Sequence, residues 1–217
     1  MRTIPREVCS SLDKTLFKLN EIQKQVLIGT LLGDGGLRFR GKNCRLHIKH
    51  SINQISLVNY KREVFKNITS MKVNVFKQTI GGTDYSFAEF VTLTHPEFTK
   101  YYNLFYPSSK KVVPESINYL LVKPLSLAVW VMDDGSAEYA GTSLQTHSFT
   151  EGEVKRLIKT IFLNFGIETN KRLNKGKWVI YFPKASMPKL EKLIGSYLLE
   201  DFKYKLVPYS TRKSITP

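Results

Sequence analysis

The segments VLIGTLLGDGG (Val26 to Gly36) and LSLAVWVMDDG (Leu125 to Gly135) decide the fold of this chain. Both are apolar until their last turn, and Asp34 and Asp134 occupy matching places in them. A segment that recurs at a fixed offset is the sign of an internal repeat, so we predict that the chain consists of two related halves.

A second pair of matched segments supports the repeat. HSINQISLVNYKREVF (His50 to Phe65) resembles HSFTEGEVKRLIKTIF (His147 to Phe162). The offset is 100 residues at the aspartates (134 − 34) and 97 at the histidines (147 − 50), so the intervening loops differ by three residues.

The pattern of apolar residues and turns predicts the same order of elements in each half, namely helix, two strands, helix, two strands, helix. Capping-box spacing at Thr150 and Glu153 marks one helix start. The helices whose bounds the pattern predicts lie at 21–33, 54–67, 96–105, 151–165 and 187–199. Strand pairs are predicted within 37–50 and 72–93 and around the turn at 174–176.

This order predicts an α+β fold of two pseudo-symmetric αββαββα halves. We expect an N-terminal extension at 1–20, a first half at 21–110, a join at 111–124 and a second half at 125–217. No low-complexity linker separates the halves.

The charge of the chain indicates a polyanionic partner. Lys and Arg number 33 against 18 Asp and Glu, which gives a net charge of +15 and a pI near 9.7. DNA, RNA and an anionic membrane surface are the candidate partners, beside a merely soluble basic protein.

The sequence disfavours a membrane or secreted protein. No apolar run approaches the roughly 20 residues that a spanning helix needs, and the N-terminus has no apolar core typical of a secretory signal. Cys9 and Cys44 are too few for a disulfide framework or a structural zinc site. We therefore expect a reduced, intracellular protein without membrane contacts.

The two aspartates are the candidate chemical groups. A carboxylate at a helix C-terminus costs roughly 0.3–1 kcal/mol because the helix end already carries partial negative charge. If the two apolar helices pack side by side, Asp34 and Asp134 meet at their ends and repel each other unless divalent cations lie between them. The repeat therefore predicts a metal site.

The residues from Leu27 to Gly35 and from Leu127 to Gly135 resemble the nine-residue motif of the LAGLIDADG homing endonucleases, in the form found in single-chain, intron-encoded organellar enzymes. The resemblance extends from about residue 22 to residue 208. It departs from the family pattern at Val129 and Asp133, which replace the small residues found at Gly29 and Gly33 in the first motif, so we expect an asymmetric helix interface.

The resemblance implies a fold with the motif helices packed at a pseudo-twofold axis and two antiparallel sheets that form a DNA-binding saddle. It assigns the catalytic acids to Asp34 and Asp134 and adds the backbone carbonyls of Gly33 and Asp133 to the metal site. It also implies a catalytic lysine in each half. These are Lys111 in KKVVP, 77 residues after Asp34, and Lys205 in YKLVP, 71 residues after Asp134. Either lysine is alternatively a solvated surface residue.

Polar and basic residues on the predicted strands are the candidates for DNA contact. An alternating basic face fits the major groove, although an exposed strand that only confers solubility has the same pattern. The candidates are Arg38, Arg40, Arg45, His47, Lys49, Lys77, Gln78, Asn170, Arg172, Lys175 and Lys177. His50 and His147 are interpreted as polar strand-end residues, and Trp130 and Trp178 as packing residues.

These observations predict a monomeric, metal-dependent endonuclease that cuts both strands of a long double-stranded DNA site. Mg²⁺ is the expected ion because the ligands are oxygens, and Mn²⁺ or Ca²⁺ can occupy such sites. The alternatives are an RNA-binding intron maturase on the same scaffold and a DNA-binding regulator that does not cut. A short independent chain favours an intron over an intein, and a composition rich in Lys, Asn, Ile and Phe is typical of an organelle such as a mitochondrion or chloroplast.

Overall fold

A computed structural model of the protein describes residues 17–207. The first half begins with helix α1 and strands β1 and β2, continues with helix α2 and strands β3 and β4, and ends with helix α3. Their bounds are α1 Glu21–Leu32, β1 Gly36–Arg40, β2 Asn43–Ser51, α2 Ile55–Val64, β3 Asn74–Ile80, β4 Thr83–Val91 and α3 Pro96–Phe105.

The second half repeats this order after a connection that contains the short helix α4, Ile117–Leu120. The bounds are α5 Pro124–Asp134, β5 Gly135–Ala137, β6 Thr142–Leu144, α6 Glu151–Phe165, β7 Asn170–Asn174, β8 Lys177–Phe182 and α7 Met187–Ile194. The predicted order of elements in both halves is confirmed.

Each half forms one four-stranded antiparallel sheet. The strand orders are β1-β2-β4-β3 and β5-β6-β8-β7, so the two sheets have the same topology. They differ in size, because β2 has nine residues whereas β6, its counterpart, has three. The predicted α+β class and its pseudo-symmetric halves are therefore confirmed. The two halves agree in the order of their strands and differ in strand length.

Local sequence signals explain where several helices begin and end. Asn20 and Thr150 each form a capping box, at the starts of α1 and α6. α6 is followed by a cap at Gly166, whose positive φ of 61° favours glycine. Both α3 and α6 have the predicted bounds, whereas the predicted helices at 54–67 and 187–199 end earlier and continue as 3₁₀ turns.

The core is built around the two motif helices, α1 and α5, which pack directly against each other. Every residue of α5 from Leu125 to Asp133 is buried, as expected for a helix that is apolar on all sides. Trp130 on α5 is fully buried, which confirms its interpretation as a packing residue.

Gly29 in α1 and Gly33, which caps its C-terminus, allow this close approach. A Cβ atom on Gly29 would lie 2.3 Å from the carbonyl oxygen of Ser126 and 2.7 Å from the Cβ of Val129. A Cβ on Gly33 would lie 2.5 Å from the Cβ of Asp133. The small residues of the first motif therefore face the larger residues of the second, and the helix interface is asymmetric as predicted.

None of the helices within residues 17–207 has both the length and the apolar character needed to cross a membrane. Cys44 is buried and unbridged, and Cys9 lies outside the described residues. The boundaries of the two halves remain a prediction.

Substitution of Gly29 by alanine should destabilise the protein, because the new methyl group overlaps backbone atoms of α5 that cannot move without shifting the helix. Overpacking of this kind costs typically about 1–3 kcal/mol. Gly152 on α6 is the matched control, because a Cβ there meets nothing within 4 Å. A thermal melt should show a lowered midpoint for Gly29→Ala and an unchanged or raised midpoint for Gly152→Ala. Equal midpoints for the two variants would contradict the close approach.

Candidate functional site

The two acids lie at the same end of the paired motif helices. Asp134 is the last residue of α5, and Asp34 lies two residues beyond the end of α1 with its side chain half exposed. Burial raises the pKa of Asp34, and the carboxylate of Asp133 adds to the rise. Burial also raises the pKa of Asp134 to about 8, with further contributions from Asp34 and Asp133. Asp34 and Asp134 are thus close enough to interact, and a cation would favour the ionised form of both carboxyl groups.

The two sequence-predicted lysines occupy equivalent positions beside the acids. Lys111 Nζ donates to the carbonyl oxygens of Gly33, at 2.5 Å, and Gly35, at 3.0 Å. Lys205 Nζ donates to the carbonyl oxygens of Met132 and, at 3.1 Å, Asp133. Each lysine therefore binds the carbonyl of the residue that precedes an acid.

Electrostatics accounts for this placement. Helix C-termini carry partial negative charge, and an ammonium group there is favourable. Burial lowers the pKa of both Lys111 and Lys205, while the neighbouring aspartates favour their charged forms. The structure thus brings together Asp34, Asp134, Lys111, Lys205 and the carbonyls of Gly33 and Asp133 at one site.

A buried ion pair that the sequence did not lead us to expect lies next to this site. Lys61 on α2 donates to both carboxylate oxygens of Asp133, at 2.6 and 2.8 Å, and neither side chain is exposed. One signal was available, since Leu57, Val58, Lys61 and Phe65 share the buried face of a helical segment. A lysine among apolar residues at that spacing indicates a buried partner of opposite charge.

His50 is also part of this cluster and is more than a strand-end residue. Its Nδ1 lies 3.1 Å from Gln54 Oε1 and 3.6 Å from Asp34 Oδ2, and its Nε2 lies 3.5 Å from Asp133 Oδ1. Burial lowers the pKa of His50, which favours the neutral ring. His147, its counterpart in the repeat, is exposed.

The donor atoms suit a hard divalent ion rather than zinc. Within residues 17–207, no three His, Cys, Asp or Glu side chains are grouped as a metal cluster. Two carboxylates and backbone carbonyls are nevertheless a set that Mg²⁺ uses, because this ion commonly completes its shell with water and substrate phosphates. Burial and neighbouring carboxylates raise the pKa of both aspartates, and a bound cation would offset both effects.

One face of the first sheet carries most of the predicted DNA-contacting side chains. Strand register places directly opposed residues on the same face, and alternate residues along a strand share it. Leu46, Ile48, Ala88 and Phe90 point to the core. The opposite face therefore carries Arg38, Arg40, Arg45, His47, Lys49 and Gln78.

Lys77 does not belong to this face and so lies apart from the other candidates of the first sheet, and its contact with DNA stays a prediction. It pairs in register with Ser86, whereas Gln78 pairs with Tyr85 and Phe76 pairs with Phe87 on the polar face. Because side chains alternate along a strand, Lys77 points to the other side of the sheet. The sequence could not reveal this, because the strand is exposed on both faces along most of its length.

The second sheet presents a smaller equivalent face. Register places Asn170, Arg172 and Lys177 on one side, with Val179 and Tyr181, while Ile180 and Phe182 belong to the core. Lys175 lies in the hairpin turn with a positive φ of 49°. Trp178 packs against the core beneath Lys171, which confirms its interpretation as a packing residue.

Several side chains on these faces are held in place by neighbours on the same face. Lys49 lies over the ring of Phe87, 4.1 Å from its centroid, and donates to Gln78 at 2.7 Å. The guanidinium of Arg172 stacks on Tyr181 at 3.2 Å from the ring centroid. His47 contacts Glu89 at 3.0 Å.

The stability of the metal-free protein should depend on pH through Asp134. In the unfolded chain this carboxyl has a pKa of 3.8, and in the folded protein the pKa is about 8. Between these values the folded protein holds a proton that the unfolded chain has lost, so stability falls as the pH rises. Asp134→Asn removes this effect. In chelator, the melting temperature of Asp134→Asn minus that of the wild type should increase by several degrees between about pH 5 and about pH 8. A difference that does not change with pH would refute the buried-carboxyl interpretation.

Comparison with known proteins agrees with this geometry. Residues 24–190 match the LAGLIDADG DNA endonuclease family. The chain is 30% identical to the cytochrome b mRNA maturase bI2 of Debaryomyces hansenii, over 88% of this chain and 76% of the relative. It is 25% identical to the probable intron-encoded endonuclease 1 of Wickerhamomyces canadensis, over 87% and 85%.

Solved structures share the fold. The homing endonuclease I-WcaI bound to its DNA recognition sequence superposes with a TM-score of 0.86 and 24% identity, over 95% of each chain. I-DmoI in complex with DNA and Mn is more distant, with a TM-score of 0.52 and 13% identity over 82% of this chain and 98% of that one. Together with the two motif helices that place an aspartate at each C-terminal end, these matches show that the chain belongs to the LAGLIDADG DNA endonuclease family.

Proposed function

We propose that this protein is a site-specific homing endonuclease that hydrolyses both strands of a long double-stranded DNA target with divalent metal ions. The observation that carries the proposal is the pair of aspartates at adjacent helix ends, each with a lysine bound to the carbonyl that precedes it. Two basic sheet faces with the same topology supply the DNA surface.

The chain's own residues have distinct parts in the reaction. Asp34 and Asp134, with the carbonyls of Gly33 and Asp133, would hold the metal ions. Bound divalent ions supply Lewis-acid activation of the scissile phosphate and of water. Mg²⁺ is the proposed ion, because the donors are oxygens.

Lys111 and Lys205 act as electrostatic stabilisers. Each ammonium is fixed beside one acid, where it can neutralise negative charge that develops on a phosphate or orient a water molecule. A cation that is already in position needs little reorganisation when that charge forms. Each lysine belongs to one acid, so each would serve mainly one strand.

The two sheet faces are proposed to lie in the major groove and follow the DNA backbone. Arginine and lysine can donate to guanine edges there, and Glu89 can accept from cytosine. We further propose that the protein acts as a monomer, because one chain supplies both acids, and that its gene lies in an intron of an organellar genome, which a relative named for an intron-encoded endonuclease supports.

An intron maturase is the second candidate function. The name of the Debaryomyces hansenii relative favours it. A maturase binds RNA and does not need both carboxylates, whereas this chain retains Asp34 and Asp134 in matching positions. Cleavage is therefore the first proposal, and RNA splicing that persists in a cleavage-dead variant would identify a second activity on the same scaffold.

Substitution of either acid by asparagine should abolish or nearly abolish cleavage and leave specific DNA binding intact. Asparagine keeps the shape of the side chain and removes the charge that holds the metal. In chelator, Asp34→Asn should leave the melting temperature equal or slightly raised because carboxylate repulsion is lost, and Asp134→Asn should raise it by the pH-dependent amount given above. The measurements are single-turnover cleavage of a supercoiled plasmid library in Mg²⁺, a gel shift and a melting curve.

The paired measurements separate a functional carboxylate from a structural one. Loss of cleavage together with a lowered melting temperature in either variant would point to a structural role. Cleavage of both strands at the wild-type rate by Asp34→Asn or Asp134→Asn would rule out the proposed mechanism.

Two basic residues of the first sheet provide a matched test of the DNA-binding face. Arg45→Ala, on the polar face, should change base preference at one or two positions of the target. Lys77→Ala removes the same charge from the other side of the sheet and should leave base preference unchanged. Selection of cleaved sites from a randomised library measures both. An altered preference in Lys77→Ala with none in Arg45→Ala would show that the opposite face contacts DNA.

A further inference from the structure

The buried pair of Lys61 and Asp133 joins the two halves of the chain. Lys61 lies on α2 in the first half and Asp133 on α5 in the second. Both side chains are fully buried, and both carboxylate oxygens accept a hydrogen bond from the lysine. A buried ion pair is stable only when its hydrogen-bond geometry is good. Removal of one partner leaves a buried, uncompensated charge.

The pair lies directly beside the proposed metal site. Asp133 precedes Asp134, and its Oδ2 lies 2.5 Å from the point where a Cβ on Gly33 would be. His50 lies between Asp34 and Asp133, within 3.6 Å of an oxygen of each. Asp133 therefore adds a carboxylate next to Asp34 that the proposed chemistry does not use.

Comparison of the two halves shows that neither Lys61 nor Asp133 has a counterpart of the same type in the repeat. With the offset of 97 residues in this segment, the counterpart of Lys61 is Ile158 (61 + 97), which is partly buried against the core. With the offset of 100 residues, the counterpart of Asp133 is Gly33 (133 − 100). The position equivalent to Asp133 is thus a glycine, and the position on α6 equivalent to Lys61 is an isoleucine. Neither the carboxylate nor the lysine is repeated in the other half.

From this geometry we infer that Lys61 is a positioning residue that serves as a built-in cation for Asp133, keeps this carboxylate out of the metal site and ties the two halves together. The inference rests on the proposed metal site and assigns a role to a residue outside it. An unpaired carboxylate at this junction would add negative charge beside the proposed metal site and so attract a divalent ion. Lys61 prevents this by satisfying both oxygens.

The test is the effect of Mn²⁺ on the melting temperature of DNA-free protein, measured in chelator and in MnCl₂. An ion that binds only the folded state stabilises it by an amount that grows with the ratio of the ion concentration to its dissociation constant. The shift in melting temperature on adding Mn²⁺ therefore reports binding. The variants are Lys61→Met, Asp133→Asn, the double variant and Lys66→Met. Lys66 is the matched control, because it pairs with Glu63 on the surface.

The inference predicts opposite changes in the Mn²⁺ response for the two single variants of the ion pair. Lys61→Met should melt roughly 10 °C lower than wild type in chelator and recover part of this loss in Mn²⁺, with a shift at least about 3 °C larger than that of wild type. Asp133→Asn should respond to Mn²⁺ less than wild type, because the unpaired lysine repels the ion. The double variant and Lys66→Met should respond like wild type.

A purely structural ion pair gives another result. It lowers the melting temperature of both single variants, and the two then respond equally to Mn²⁺. Equal responses, or a Lys61→Met response no larger than that of wild type, would overturn the inference. If Lys61→Met does not fold in chelator, Lys61→Gln, which keeps one donor for Asp133, must show the same direction, and Asp133→Asn tests the opposite sign independently.

Failure of this inference is distinguishable from failure of the proposed function. Plasmid cleavage by the wild-type protein tests the function, whereas the differences between variants test Lys61 without any DNA. Cleavage by the wild type combined with equal Mn²⁺ responses overturns the inference alone. The expected signs in a protein that cuts no DNA support the inference and overturn the function.

Discussion

The structure depends on one electrostatic constraint, which is the concentration of negative charge where the motif helices α1 and α5 end side by side. Each helix contributes the partial negative charge of its C-terminus, and Asp34, Asp133 and Asp134 add carboxylates at the same place. Burial makes this charge more costly, which explains the raised pKa values of Asp34 and Asp134. Such a junction is stable only if cations surround it.

The protein supplies three of those cations itself. Lys111 and Lys205 bind the carbonyls at the two helix ends, and Lys61 binds the side chain of Asp133. The first two are related by the pseudo-symmetry, whereas the third has no counterpart. A single chain can diverge in this way because its halves are not required to be identical, so a carboxylate in one half and a lysine in the other can be retained as a pair.

The same divergence affects the surface proposed to bind DNA. Both sheets have the same strand order, but the first has longer central strands and a more continuous basic face. On both faces long basic side chains rest on aromatic rings, as Lys49 does on Phe87 and Arg172 does on Tyr181. Side chains held in this way lose less conformational freedom when they bind, which favours selective contacts.

The sequence by itself determined the architecture, the positions of the two aspartates in it and most of the helix and strand order. A repeat of apolar segments that end in Asp-Gly is a local pattern, and capping boxes at Asn20 and Thr150 are local as well. Local signals of this kind can be read from the sequence because they involve residues three or four positions apart. The resemblance to a known family added Lys111 and Lys205, which the structure places beside the acids; their catalytic role stays a prediction.

Only the tertiary structure decided which charges meet. Lys61 and Asp133 are 72 residues apart, and nothing local links them. The face on which Lys77 lies depends on strand register, because a shift of one residue moves a side chain to the opposite face of the sheet. Strand β3 is at the edge of the sheet and exposed on both faces, so its sequence has no apolar alternation that would indicate the register. The environment of His50 likewise depends on the packing of β2 beside both motif helices. Pairing between halves and the side of a sheet on which a residue lies are properties of three-dimensional packing, and a pattern along the chain does not contain them.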